Sequence, residues 1–224
     1  MKNAIGAVLF DLDGTLLDSI RLIIDSYHHA LQANGLPPRS DEHWLAGIGT
    51  PLRVQFREWA DDPDLFEALI TAYRDYNLAN HDQRVRAYPG AVEMVQGVRR
   101  LGLRTGLVTS KLRNGALRGL TLLELDRAMD VIIGADDVIN PKPHPEPLLM
   151  AAQRLEQDPR AAIYVGDSVH DMESGRAAGM RTAAALWGPF SRQQLERTGP
   201  DHWLEKPGDL LALLDRAAAA GSTD

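Results

Sequence analysis

Asp11 and Asp13 stand one residue apart at the end of a short apolar run and are followed at once by Gly14-Thr15. Three later apolar runs also end in polar residues: first Thr109-Ser110, then Lys142 after a short loop, then Asp167 with Asp171. Two carboxylate pairs, a hydroxyl pair and an ammonium are groups that phosphoryl transfer uses, because that reaction is mainly positioning plus neutralisation of charge on the transferring group. A carboxylate cannot approach a phosphate unaided, since both are anions. Magnesium would screen both, and its preference for few carboxylates together with water and substrate oxygens suits Asp11 and Asp167 as ligands. Lys142 would neutralise further charge. Gly14 permits close backbone approach, so that amides after Asp11 can face phosphoryl oxygens, and Thr109 or Ser110 can donate another hydrogen bond. Asp13 is placed to protonate a leaving oxygen and then to take the proton of water attacking an acyl phosphate.

Each piece also has a plain structural reading. Asp-Leu-Asp-Gly is common turn chemistry, Thr109-Ser110 and Asp167-Ser168 can cap helices, and Lys142 between two prolines is by itself a solvated loop lysine. Their order and their placement at strand ends favour the catalytic reading, because ligands bind where the carboxyl ends of parallel strands converge. Of the histidines, none pairs with another at zinc-helix spacing around a Glu. They read as surface or cap residues, His170 as a solvated loop histidine beside the acidic motif with contact to substrate as the alternative, and the tryptophans read as packing.

Strand ends require a sheet. Ala4 to Phe10 reads as a buried strand, and further short apolar runs at 105–108, 131–133, 162–165 and 182–186 alternate with helical patterns. This alternation predicts an α/β fold with a Rossmann-like parallel sheet core. Roughly 90 residues separate the first two strands, several times the length of a crossover helix. Within them Leu16, Leu17, Ile20, Ile23, Ile24, Tyr27 and Leu31 follow one helical face, and a second helical pattern runs from Asp64 to Tyr76. The expected organisation is a core of residues 1–16 and 86–224 with a small all-helical cap domain, residues 17–85, inserted after the first strand. Hinges are expected near Leu17 and at Tyr88-Pro89-Gly90. Later helices are expected from Pro145-Glu146-Pro147, after Asp171, and at Ser191 with Gln194, whose spacing is that of a capping box.

The formal net charge of −7 has no compensating basic run, which argues against nucleic acid and anionic membranes as partners. A small phosphorylated substrate remains compatible, because a metal ion and a few placed cations reverse the field locally. The absence of cysteine excludes disulfides and thiolate nucleophiles and agrees with a cytoplasmic protein. The apolar run from Ile5 to Phe10 is far too short to span a bilayer. The expected assembly is a monomer or a homodimer.

FDLDGTLLDS at Phe10 to Ser19, Thr109-Ser110 in LVTSK, Lys142 in NPKPHPEPL and GDSVHD at Gly166 to Asp171 stand in the order of four known motifs. The chain resembles the haloacid dehalogenase-like hydrolase superfamily over nearly its whole length. That resemblance implies a phosphoric monoester hydrolase of the phosphatase kind, working through an aspartyl-phosphate, with a cap that closes over the substrate. It implies that Asp11 is the nucleophile and a magnesium ligand, that Asp13 is the acid/base whose backbone carbonyl also binds the metal, and that Asp167 is the other protein ligand. Asp171 would sit beside them, and Thr109 or Ser110, with Lys142, would grip the phosphoryl group. Asp13 argues against a dehalogenase, which lacks the second aspartate of the first motif. The lysine-free stretch from Leu16 to Tyr88 argues against a phosphonatase, which uses a cap lysine. A sugar-phosphate mutase resembling beta-phosphoglucomutase shares the four motifs and stays as the alternative, and a non-catalytic phosphate-binding regulator is a third reading. The segments TAYRDYNLANHD and RTAAALWGPFSRQQLERTGPDHWLEKPGDLLALL look like those of the branch containing phosphoglycolate phosphatases and bacterial pyrophosphatases of the PpaX type. Phosphoglycolate or inorganic pyrophosphate is then the expected substrate. The loop GIGTPLR, Gly47 to Arg53, is the expected selector, with Arg53 or Arg57 to meet a second anionic group.

Overall fold

The computed structural model describes residues 5–221. Its strands are β1 (Ala7–Phe10), β2 (Leu17–Asp18), β3 (Arg86–Ala87), β4 (Arg104–Val108), β5 (Val131–Ile133), β6 (Ala162–Gly166), β7 (Arg181–Ala185) and β8 (His202–Leu204). Its α-helices are α1 (Ile20–Ala33), α2 (Asp41–Ala46), α3 (Leu52–Gln55), α4 (Pro63–Arg84), α5 (Ala91–Arg100), α6 (Arg113–Leu122), α7 (Glu146–Arg154), α8 (Val169–Ala177), α9 (Arg192–Glu196) and α10 (Gly208–Gly221). Six strands form one parallel sheet in the order β5-β4-β1-β6-β7-β8. From β1 the chain builds outward on one side through β4 and β5 and then on the other through β6, β7 and β8. The order therefore reverses beside β1, where a doubly wound sheet leaves a crevice.

β1 is fully buried because it has helices over both faces, which is why its four residues AVLF are all apolar. Alternate residues serve opposite layers. Val8 and Phe10 pack with Met94, Val95 and Val98 of α5 and Leu210 and Leu214 of α10. Ala7 and Leu9 pack with Leu148, Ala151 and Ala152 of α7. A third apolar cluster centres on the segment between β2 and β3, where α1 lies against α4 and Ile20, Ile23, Ile24, Tyr27 and Leu31 meet Trp44, Phe56, Leu69 and Ile70, and it extends to Met172, Phe190 and Leu195 of the core. Tyr27 stacks on Trp44 with ring centroids 4.4 Å apart and planes at 7°. No helix among the described residues is long and apolar enough to cross a membrane.

Several expectations need correction. Ala4, where the first strand was expected to begin, lies outside the described residues. Leu16 and Leu17 belong to no helix. The carbonyl of Leu12 accepts hydrogen bonds from the amides of Thr15, Leu16 and Leu17 at 3.2, 2.8 and 2.8 Å, a tight turn that Gly14 makes at φ +90°. Leu17 then pairs with Ala87 in a two-stranded antiparallel ribbon, so α1 starts at Ile20. The second helical pattern extends to Arg84 as α4, because its polar C-terminal half is held by packing on one face. Asp171 lies within the first turn of α8 instead of preceding that helix. Strand β8 was not anticipated. The expected capping box is present at the start of α9, where Ser191 Oγ accepts from the Gln194 amide and Gln194 Oε1 accepts from the Ser191 amide.

Replacing Trp44 tests the third cluster. Trp44→Ala should lower stability by about 3–5 kcal/mol, the range for emptying a buried aromatic site, measured as a shift in urea midpoint. Trp44→Phe also deletes an indole N–H that finds no hydrogen-bond partner among the described residues and should cost well under half as much. Equal losses would place the energy in the fused two-ring bulk that only an indole supplies.

Candidate active site

Phe10 of β1 sits opposite Leu107 of β4 and Val165 of β6, so the residues that follow these strands emerge side by side. Asp11, Thr109 and Asp167 are all buried there. Lys142 arrives from the loop after β5 and is buried too. Its Nζ donates to Asp11 Oδ1 at 3.0 Å, to Asp171 Oδ1 at 2.6 Å and to the Tyr164 hydroxyl at 2.9 Å. Asp171 is further held through Oδ2, which accepts from the Ser168 amide at 2.9 Å and the Ser168 hydroxyl at 2.6 Å. Burial pushes the Asp171 carboxyl up, yet Lys142 and these donors outweigh it and hold the group below the ordinary carboxylate range. The same two carboxylates hold the Lys142 ammonium charged despite its burial.

Asp11 and Asp167 are less well compensated. Burial, opposed by Lys142 and reinforced by the nearby charge of Asp171, pushes Asp11 up to about 7. Burial and then the charges of Asp171 and Asp11 push Asp167 well above its ordinary value. Asp167 Oδ1 accepts from the Thr15 hydroxyl at 2.7 Å, while its buried Oδ2 finds no hydrogen-bond partner among the described residues. Space around this carboxylate is kept open by missing side chains: a Cβ on Gly14 would fall 2.4 Å from Asp167 Oδ2, and one on Gly188 would fall 2.5 Å from Asp167 Cβ. Trp187 Nε1 donates to the Thr15 carbonyl at 2.9 Å and pins the turn that carries Thr15.

One oxygen each of Asp11, Asp167 and Asp171 lie within 4.8 Å of one another. An all-oxygen, carboxylate-rich set that includes a residue with a partnerless oxygen fits a hard divalent cation. Asp11 and Asp167 are the free members, because both oxygens of Asp171 are already engaged.

Asp13 faces the other side of the turn. Its Oδ1 accepts from Ser19 Oγ at 2.6 Å, and Lys111 Nζ reaches Oδ1 and Oδ2 at 2.9 and 3.1 Å. Burial alone would raise this carboxyl, but the Lys111 charge and the Ser19 bond bring it below the ordinary range. Asp11 and Asp13 both open onto a cavity of about 530 Å³ between the sheet crevice and the helices of the inserted segment. Gly47 to Arg53 forms part of its wall, with Ile48 through Arg53 all lining it. Ser110 Oγ donates across the gap to the Gly49 carbonyl at 2.6 Å, and Arg118 of α6 forms a paired contact with Asp82 of α4 at 2.8 and 2.9 Å.

Other expected residues lie differently. The Gly14 amide is spent on the Leu17 carbonyl, and those of Thr15, Leu16 and Leu17 on Leu12, so Gly14 contributes room and not a phosphoryl donor. Ser110 is committed to Gly49, whereas Thr109 Oγ1 accepts from the Lys111 amide at 3.2 Å and keeps its own proton to donate. Arg53 lines the cavity but is paired with Glu67 at 2.6 and 3.3 Å. Arg57 lies in an exposed 3₁₀ turn and does not line the cavity. His170 is half-buried in α8 and not a solvated loop residue; a Cβ on Gly49 would touch its ring. Sequence reasoning overlooked Lys111, Ser19, Thr15 and Tyr164. Lys111 follows the hydroxyl pair directly and Ser19 closes the first motif, but their partner is set by the turn at Gly14, which periodicity does not disclose.

The profile of the haloacid dehalogenase-like hydrolases matches residues 8–185. A protein of Bacillus pumilus named pyrophosphatase PpaX is 40% identical over 213 residues, covering 95% of this chain and 98% of its own. Among solved structures, a hydrolase from Pseudomonas syringae superposes with a TM-score of 0.84 at 27% identity, covering 94% of this chain and 98% of its own. A protein of Lactobacillus plantarum with the provisional name phosphoglycolate phosphatase superposes with a TM-score of 0.81 at 28% identity, covering 94% and 99%.

The carboxylate cluster makes metal binding and stability depend on pH in a definite direction. Asp11, raised from 3.8 to about 7 in the folded protein, binds its proton more tightly folded than unfolded. Its contribution is therefore fully present below the ordinary value of 3.8 and is lost as pH rises through about 7; Asp167, also raised, acts in the same direction. A divalent cation competes with those protons. Adding magnesium should therefore raise the melting temperature more at about pH 8 than at about pH 5.5. An equal rise at both would show that the cation binds elsewhere.

Proposed function

The chain belongs to the haloacid dehalogenase-like hydrolase family, and from that premise we propose that it is a magnesium-dependent phosphohydrolase acting on inorganic pyrophosphate, with phosphoglycolate as the second candidate. The observation that carries this reading is the buried chain Asp11–Lys142–Asp171 beside the partnerless oxygen of Asp167, whose Asp11 end opens onto a cavity walled by the inserted helices. The pyrophosphatase name of the B. pumilus relative supports the substrate, which would make the scissile bond a phosphoanhydride; a phosphoric monoester is the second choice.

Asp11 and Asp167 would hold magnesium through their side chains and Asp13 through its backbone carbonyl. When bound, the ion supplies the positive charge that lets one anion approach another. An Asp11 carboxylate oxygen attacks phosphorus, the bond from phosphorus to the bridging oxygen breaks, and Asp13, which Lys111 and Ser19 hold ionised in the free protein and which takes up a proton as the anionic substrate binds, passes that proton to the bridging oxygen. Water then attacks the acyl phosphate while Asp13 takes its proton, releasing orthophosphate and restoring Asp11. Lys142 orients Asp11 and offsets charge on the phosphoryl group, and Asp171 fixes Lys142. Thr109, whose hydroxyl proton is uncommitted, serves the phosphoryl oxygens in preference to Ser110. The inserted helices, within residues 17–85, act as a cap over the cavity and exclude water. The cytoplasm is the compartment that suits a cysteine-free chain.

Magnesium-dependent phosphate release should be measured for pyrophosphate, phosphoglycolate, several sugar phosphates and phenyl phosphate. Pyrophosphate should stand out with kcat/KM of about 10⁴ M⁻¹s⁻¹ or more, and Asp11→Asn should lower turnover at least about 10³-fold. Uniformly slow hydrolysis would reject the substrate, and activity surviving in Asp11→Asn would reject the nucleophile. Transfer from phosphorylated Asp11 to a sugar phosphate faster than to water would make the protein a mutase.

A further inference from the structure

We propose that Lys111 is the residue that selects substrates whose leaving group is itself an anion, such as the departing phosphate of a diphosphate or the carboxylate of a short phospho-acid. This rests on the reading of Asp11 as nucleophile and Asp13 as the residue beside the leaving oxygen. Lys111 Nζ bonds both oxygens of Asp13 and lines the cavity, so it is the cavity cation in contact with the leaving side of the reaction. Its height is fixed from two directions. The Lys111 amide donates to Thr109 Oγ1 at 3.2 Å, and the stem lies along Gly115 of α6, where a Cβ would sit 3.3 Å from Lys111 Cγ. A flexible four-carbon stem is thereby held to one path, which lowers the entropy lost when the ammonium binds an anion.

The other cations around the cavity are differently placed. Arg53 is bound by Glu67 through two contacts and Arg118 by Asp82 through two, and neither acid lines the cavity. Arg74 lies on the α4 wall, close enough to help lower the Glu67 carboxyl. Beyond the floor the wall is largely apolar, with Ile23, Ile48, Leu52, Leu78 and Leu112. An anionic leaving group entering that space loses water and requires a cation in exchange. Lys111 offers one, and its carboxylate partner, Asp13, is a residue the reaction itself engages. A neutral leaving group makes no such demand.

Lys111→Met and Lys111→Arg should be assayed with magnesium on pyrophosphate, phosphoglycolate and phenyl phosphate. In Lys111→Met the ratio of kcat/KM for an anionic-leaving-group substrate to that for phenyl phosphate should fall about 10²-fold, the scale of a charge-assisted hydrogen bond, and Lys111→Arg should restore part of it. The anionic substrate that loses more identifies the leaving anion. Inhibition gives a readout that needs no turnover: methylenediphosphonate should weaken about 10²-fold as an inhibitor of Lys111→Met, and methylphosphonate much less. Parallel losses for both substrate classes and both inhibitors would overturn the proposal. If wild type hydrolyses all three substrates, Asp11→Asn does not and the Lys111→Met ratio stays fixed, only the role of Lys111 fails. If Asp11→Asn remains active, the reaction assignment fails first.

Discussion

Three carboxylates and one ammonium are buried together at the carboxyl edge of the sheet, and the rest of the molecule is arranged around that imbalance. With all four groups ionised the crevice carries an excess of two negative charges, which burial would normally drive out by protonation. The structure does not spread the deficit evenly. Asp171 is satisfied through both oxygens by Lys142, Tyr164 and Ser168, and it anchors the ammonium. Asp11 shares that ammonium, while Asp167 has only the Thr15 hydroxyl among the described partners. The unmet demand for positive charge is thus concentrated on the two carboxylates suited to hold a cation.

Such a cluster can be buried only if several chain segments reach one point without crowding it. The parallel sheet meets the first condition, because the ends of β1, β4 and β6 emerge together where the strand order reverses. Gly14 and Gly188 meet the second by leaving space that any Cβ would take from Asp167. The inserted helices complete the enclosure. They touch the core across the cavity through Gly49 with Ser110 and Asp82 with Arg118. An exposed ion pair such as Asp82–Arg118 contributes little by itself, so the two polar contacts serve orientation more than adhesion.

Much of this was legible in sequence, and what was not legible has physical causes. The apolar strands and their polar terminal residues were visible because a strand covered on both faces must be apolar and must end where the chain meets polar ligands. The haloacid dehalogenase-like resemblance rested on those same residues, and the fold class followed. Leu16 and Leu17 were misplaced because apolar spacing does not distinguish a helix face from a turn whose carbonyl, that of Leu12, gathers three amides. Strand β8 escaped notice because His202-Trp203-Leu204 is short and only partly buried. The site residues that went unseen, Lys111, Ser19, Thr15 and Tyr164, share one trait: each acts on an acid brought to it by folding. Ser110 illustrates the converse, since its hydroxyl was a fair candidate until the Gly49 carbonyl proved to occupy it.

The overall charge of −7 and a reaction on anions are compatible because the two act over different distances. Exposed charges are screened within about 8–10 Å at physiological ionic strength, so the acidic surface has little influence on a group inside the crevice. Within the cavity, largely apolar walls leave a few fixed cations less screened than those on the surface. The discriminating quantity for a small anionic substrate is then the position of each cation relative to the bond being broken. Lys142 contacts Asp11 and Lys111 contacts Asp13, so under the proposed mechanism one lysine stands on the nucleophile's side of that bond and the other on the leaving side. The two lysines reach the site from different loops, one after β5 and one after β4, so the electrostatics of attack and departure are set by independent parts of the sequence and can diverge separately.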